Sequence, residues 1–193
     1  MPPRTRRPSA AAPSCARPKS VWRENLESIL WAAALALTIR TLIVAPFKIP
    51  SGSMRPTLIE GDRILVNKFL YRFREPRRGE IIVFRFPENP KRPFIKRLIA
   101  VGGDTVEIKE GHILVNGRTA SEGEVGPTTY YYNQGPFGQE HTVTDVPKEM
   151  YFVLGDNSSS SHDSRFWGFV PKRLLIGRAL CIFWPPTRLR VLR

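Results

Sequence analysis

Three short stretches of this 193-residue chain carry side chains suited to acyl-transfer chemistry. The first is Ile49-Pro50-Ser51-Gly52-Ser53-Met54-Arg55-Pro56-Thr57-Leu58, where Pro50, Gly52 and Pro56 fix a tight loop and Gly52 lets another backbone approach closely. A loop serine attacks a carbonyl only when a base takes its proton. Read by itself, the stretch is equally a Ser/Gly/Pro turn ahead of a strand. The three histidines complete no Ser-His-Asp set: His112 falls in a hairpin strand, His141 in a loop, and His162, in a serine-rich loop, is a minor candidate base. The second stretch, Phe94-Ile95-Lys96-Arg97-Leu98-Ile99-Ala100-Val101, supplies a better one. Period-two alternation puts Lys96 on one face with Phe94 and Leu98, so its ammonium is partly desolvated. Desolvation disfavours the charged form and moves a lysine toward the roughly 7–8 range useful to a general base. The plain alternative is a strand lysine whose charged end snorkels to water. The third stretch, Gly155-Asp156-Asn157-Ser158-Ser159-Ser160-Ser161-His162-Asp163-Ser164-Arg165-Phe166-Trp167-Gly168, looks like a serine linker until Asp163, Arg165 and two aromatics. Asp163 and Arg165 can pair, and a hydroxyl of this loop can orient the Lys96 amine.

Holding these stretches together requires a β framework. Apolar runs between Gly, Pro, Asn and Asp punctuation predict strands at Arg63–Leu70, Glu80–Phe86, Phe94–Val101, Thr105–Ile108, His112–Val115, Met150–Leu154 and Leu174–Trp184. Asn116-Gly117 is a two-residue hairpin signal. Glu122–Gln139, with its Gly, Pro and three consecutive Tyr, reads as an irregular insertion. Short strands without alternating helices predict a mainly β fold, an antiparallel sheet or barrel-like catalytic domain over residues 48–193.

Ahead of it lie two segments of other character. Residues 1–23 hold six basic residues, no acid and five prolines, a composition that predicts a disordered cytoplasmic tail. Residues 24–47 form the expected transmembrane anchor. From Ser28 to Phe47, 15 of 20 residues are apolar, and 20 helical residues rise about 30 Å, one hydrocarbon thickness. Arg40 is placed to snorkel to the far interface. A buried core helix is one rival. A removable leader is another, opposed by Arg40 within the run and by Pro46 after Ala45. The basic tail sets the N-terminus inside and the remainder outside, a single-pass topology in the plasma (inner) membrane. Cys15 and Cys181 then lie on opposite sides and cannot pair, and the two cysteines with three scattered histidines offer no zinc-type spacing. No metal and no cofactor are expected. A net charge of +13 leaves a rival of another class, a membrane-tethered binder of nucleic acid or anionic lipid that uses Arg72, Arg74, Arg77 and Arg78 with Arg188, Arg190 and Arg193.

The three stretches, with Gly61-Asp62, Arg78-Gly79-Glu80-Ile81-Ile82-Val83-Phe84 and Gly103-Asp104, resemble in order the motifs of type I signal peptidases, the bacterial leader peptidases with a Ser/Lys dyad. The likeness runs from about Trp22 to Pro185. It implies that Ser53 is the nucleophile and Lys96 the general base. It further implies that Ser51 supplies an oxyanion-hole hydroxyl, that Ser161 bonds the lysine amine, and that Asp163 and Arg165 form a supporting ion pair with Asp156 in the same network. Ile49, Met54, Leu58, Phe94 and Ile95 match residues lining the pockets for small substrate side chains, with Phe47, Ile64 and Val83 more peripheral. Ser158 and Ser159 stand where Arg and Asp are frequent, so one supporting ion pair is expected to be missing. The implied partners are signal-peptide-bearing pre-proteins and the lipid bilayer, with no nucleic acid, and the implied state is a monomer. Within the enzyme class the alternative is an organellar inner-membrane peptidase with few substrates.

Overall fold

A computed structural model of the chain describes residues 21–38, 44–128 and 130–192. The expected basic tail, except its last three residues, and the Arg40 region lie outside the described residues. The chain divides into two units between Leu37 and Thr38.

The first unit holds helix α1 (Val21–Thr38) up to its penultimate residue. Its Leu26, Ile29, Leu30, Trp31, Leu35 and Leu37 are 59–72% exposed. No helix among the described residues is long and apolar enough to cross a membrane. The apolar run also does not continue as helix to Phe47: Val44–Lys48 form a strand, which corrects the expected far boundary of the anchor. A continuous apolar run does not distinguish a helix from a strand, and here pairing with the next strand decides.

The second unit is mainly β. Its strands are β1 (Val44–Lys48), β2 (Arg63–Asn67), β3 (Ile81–Phe86), β4 (Asn89–Val101), β5 (Thr105–Lys109), β6 (His112–Val115), β7 (Arg118–Thr119), β8 (Thr144–Asp145), β9 (Met150–Leu154), β10 (Val170–Pro171), β11 (Leu175–Trp184) and β12 (Arg190–Val191). Two four-residue helices, α2 (Glu122–Val125) and α3 (Ser164–Trp167), interrupt them. One antiparallel sheet runs β1-β2-β11-β3-β4-β9-β10 with β12 on β11, and a smaller one runs β7-β6-β5-β8. Among the described residues the larger path runs from β1 to β10 without closing on itself.

The strand chemistry follows the apolar pattern. In β3, Ile81 and Val83 join a core with Ile64, Val66 and Ile182, while Ile82 and Phe84 face a second core with Leu98 and Val153. A strand buried on both faces reads as an unbroken apolar run. Asn116 and Gly117 link β6 to β7 with φ of 52° and 75°, the left-handed values a two-residue hairpin needs. β4 begins at Asn89, earlier than expected, because Phe86 pairs with Asn89 and Arg85 with Pro93 across a tight turn. Pro90 and Pro93 hid that exposed arm.

Leu98 is fully buried, so Leu98→Ala should cost about 2–5 kcal/mol in urea unfolding. Lys91→Ala, on the exposed arm, should stay within about 0.5 kcal/mol of the parent.

Candidate active site

Ser53 is the middle residue of a 3-10 turn, Gly52–Met54, in the link between β1 and β2. Amides of a first helical turn have no partner within the turn, which leaves the Ser53 N–H available to a substrate oxygen. Ser51 precedes it in extended conformation and does not spend its hydroxyl on capping. The link is clamped at its base, where the Ile49 amide donates to the Asp62 carbonyl and the Gly61 amide to the Ile49 carbonyl, each at 2.9 Å.

Lys96 enters from β4, opposite Ile82 on β3, and is 3% exposed. Its Nζ lies 2.6 Å from Ser53 Oγ and 3.0 Å from Ser161 Oγ. Burial, the largest influence, pulls its pKa down from 10.5 to about 8; the Arg165 charge pushes the same way, and the Asp163 and Asp156 carboxylates oppose it. A neutral amine at this spot can accept the Ser53 proton while donating to the Ser161 hydroxyl.

The loop after β9 is held by two buried ion pairs. Asp163 takes the Gly155 amide at 3.0 Å and the Arg165 Nε at 2.8 Å, both carboxylate and guanidinium being sealed from water. Arg165 also donates to the carbonyls of Tyr132 and Ser158 and to Ser158 Oγ, at 2.8–2.9 Å. Ser158, at one of the two positions where a charged residue is frequent, accepts at its hydroxyl from Arg165 and from the Tyr132 amide. Asp156 carries the second pair, with Arg97 Nε at 2.8 Å and Nη2 at 2.6 Å, and also accepts from the Thr57 hydroxyl.

Arg97, Thr57 and Asn157 were not singled out from the sequence. Arg97 was findable: alternation turns it away from the Lys96 face, and a buried guanidinium needs an acid. Asn157 gave no such signal. Its amide donates to the Ser53 carbonyl and its Nδ2 to the Gly52 carbonyl, both at 3.1 Å, tying the third stretch to the first. Gly155 sits where they meet: a Cβ there would fall 2.1 Å from Ser161 Oγ and 2.4 Å from the Ser53 carbonyl. Only glycine fits that approach.

Phe47, Ile49, Ile64, Val83, Phe94 and Ile95 line one cavity of about 300 Å³, together with Pro50 and Pro93. Met54 and Leu58 do not line it. Both are 0% exposed and belong to the apolar core that also holds Ile49, Ile64 and Val83. The histidines stay apart: His162 lies on the surface against Phe86 and Phe166, and His112 and His141 are exposed. The basic clusters are also largely spent internally. Arg74 pairs with Glu80, Arg78 with Asp104, Arg188 with Asp62, and Arg190 donates to the Thr57 carbonyl; Arg193 lies outside the described residues.

Comparison with known proteins identifies the family. The family model for signal peptidase, peptidase S26, matches residues 22–184. A signal peptidase I of Leptolyngbya laminosa is 42% identical over 188 residues, covering 93% of this chain and 89% of its own. A probable signal peptidase I-2 of Synechocystis is 41% identical over 180 residues, covering 91% and 79% respectively. A chloroplast thylakoidal processing peptidase 1 of Arabidopsis thaliana is 35% identical over 179 residues, covering 88% and 50%. With most of its length matched and relatives this similar, the chain belongs to the S26 signal peptidase family.

Proposed function

We propose that the chain is a membrane-associated serine endopeptidase that cuts N-terminal signal peptides from exported pre-proteins after Ala-x-Ala-type sites. The observation that carries this reading is the 2.6 Å approach of a buried lysine amine to a half-buried serine hydroxyl. In the mechanism, neutral Lys96 takes the Ser53 proton as Oγ attacks the carbonyl. The oxyanion accepts from the Ser53 N–H and the Ser51 hydroxyl, where one lost donor typically costs about 3–4 kcal/mol of barrier. The Lys96 ammonium returns the proton to the leaving amine, and the acyl group stays on Ser53. Lys96 then deprotonates the water that releases the acid, while Ser161 keeps the amine aimed. The apolar cavity beside Ile49 and Ile95 takes the small side chains before the cut.

Work at a membrane is supported by two separate apolar surfaces. One is helix α1, which we assign to the anchoring segment together with the residues that follow it. The other is the region of β11 and β12, where Phe183, Trp184, Leu189 and Val191 are exposed. We place the β unit on the outer face of the inner membrane, acting as a monomer.

Ser53→Ala should leave a folded chain without detectable processing of a pre-protein in gel assay. Because the free amine is the active form, kcat/KM should rise with pH to a plateau, with its half-point near 8. A profile flat from pH 6 to 10 contradicts the dyad. Lys96→Met should abolish cleavage yet stabilise the fold near neutral pH. A lysine whose pKa is lower in the folded chain binds fewer protons there than when unfolded, so its penalty is full below about 8 and fades as pH climbs toward 10.5. Urea unfolding at pH 7 should show a gain of about 1–3 kcal/mol. Ser161→Ala should lower kcat by about tenfold with little change in KM, since it disturbs the aim of the base and not substrate contact.

A further inference from the structure

The three consecutive tyrosines of the Glu122–Gln139 segment have no part in the dyad, yet their placement is specific. Tyr131 is buried, its hydroxyl donating to the Val125 carbonyl and its amide to the Gly111 carbonyl, each at 2.8 Å. Its neighbours Tyr130 and Tyr132 are 50% and 48% exposed. Their rings stand edge to face at 5.1 Å. Tyr132 is further fixed at both backbone groups, its amide on Ser158 Oγ and its carbonyl on Arg165. Large aromatic surfaces left half open, on a backbone this firmly held, suit contact with another molecule at small entropic cost.

Both rings edge a cavity of about 430 Å³ whose other walls include Arg55, Pro56, Asn157 and Ser159. Its position relative to the nucleophile is the decisive point. The apolar cavity is walled by Ile49 and Pro50, just before the Ser51–Ser53 turn, and this one by Arg55 and Pro56, just after it. Asn157, in its wall, donates to the carbonyls of Gly52 and Ser53. The two cavities thus adjoin the residues that flank the Ser53 turn, one before it and one after it. Arg55 is held by an exposed pair with Glu60, an arrangement weak enough to open to a passing peptide.

We propose that Tyr130 and Tyr132 form a subsite for the first residues after the scissile bond, the new N-terminus of the released protein. This rests on the cleavage reading above and extends it to the other side of the bond. The occupant is a peptide segment in extended form, laid against the two ring faces with its side chains toward Arg55 and Ser159.

Two peptides identical up to the cut test it, one continuing four residues beyond the bond and the other a single amidated residue. The full chain should favour the longer by about tenfold in kcat/KM, the scale of a pair of aromatic contacts. The Tyr130→Ala/Tyr132→Ala variant should reduce that ratio to less than about twofold. Tyr130 packs on Gly111, so Tyr132→Ala alone carries the test if the double variant does not fold. A variant that keeps the full ratio, or a parent that shows none, overturns the subsite while leaving the dyad standing. A parent that cuts neither peptide overturns the cleavage reading and the subsite with it.

Discussion

An amine shut away from water is less costly to keep neutral than to charge, and the structure around Lys96 is organised by that fact. The side chain leaves β4 on an apolar face and ends between two hydroxyls, which can bond a neutral amine as readily as a charged one. Nearby carboxylates would restore the ammonium if they stood free. Asp163 and Asp156 do not: each is spent on an arginine, so the lowered pKa survives two buried acids in the vicinity.

Those arginine pairs explain why a loop with four consecutive serines is rigid. Arg165 directs its donors at Asp163, at the hydroxyl and carbonyl of Ser158 and at the Tyr132 carbonyl, and Gly155 lets the loop close onto the Ser53 carbonyl. Breaking a buried pair by removing one partner typically costs about 3–5 kcal/mol, because the other charge remains without compensation. The frame is therefore all-or-none, and positional error at the amine is small while it holds.

Much of this was readable beforehand. Runs of Ile, Val and Phe between turn residues located the central strands to within a few positions, and alternation alone placed Lys96 with Phe94 and Leu98. The likeness to a known family then assigned roles that alternation cannot. Other features resisted for physical reasons. Phe47 ends an apolar run whose first part is helix and whose last part is strand, a switch set by pairing with β2. Met54 and Leu58 are apolar residues beside a serine turn, and nothing local tells a pocket wall from the layer beneath it. Asn157 acts through its backbone and amide at a distance of more than one hundred positions, a relation that exists only once the sheets have packed.

That distance also governs when the machinery exists. The hydroxyl comes from the link before β2, the amine from β4, and the group that aims it from beyond β9, with separations of 43 and 65 positions from the lysine. No contiguous fragment short of that span contains all three, and ordering such distant pieces requires closing large loops first. A copy made only as far as β4 therefore lacks the hydroxyl that aims the amine. The three groups can meet only once the chain has been made at least as far as Ser161.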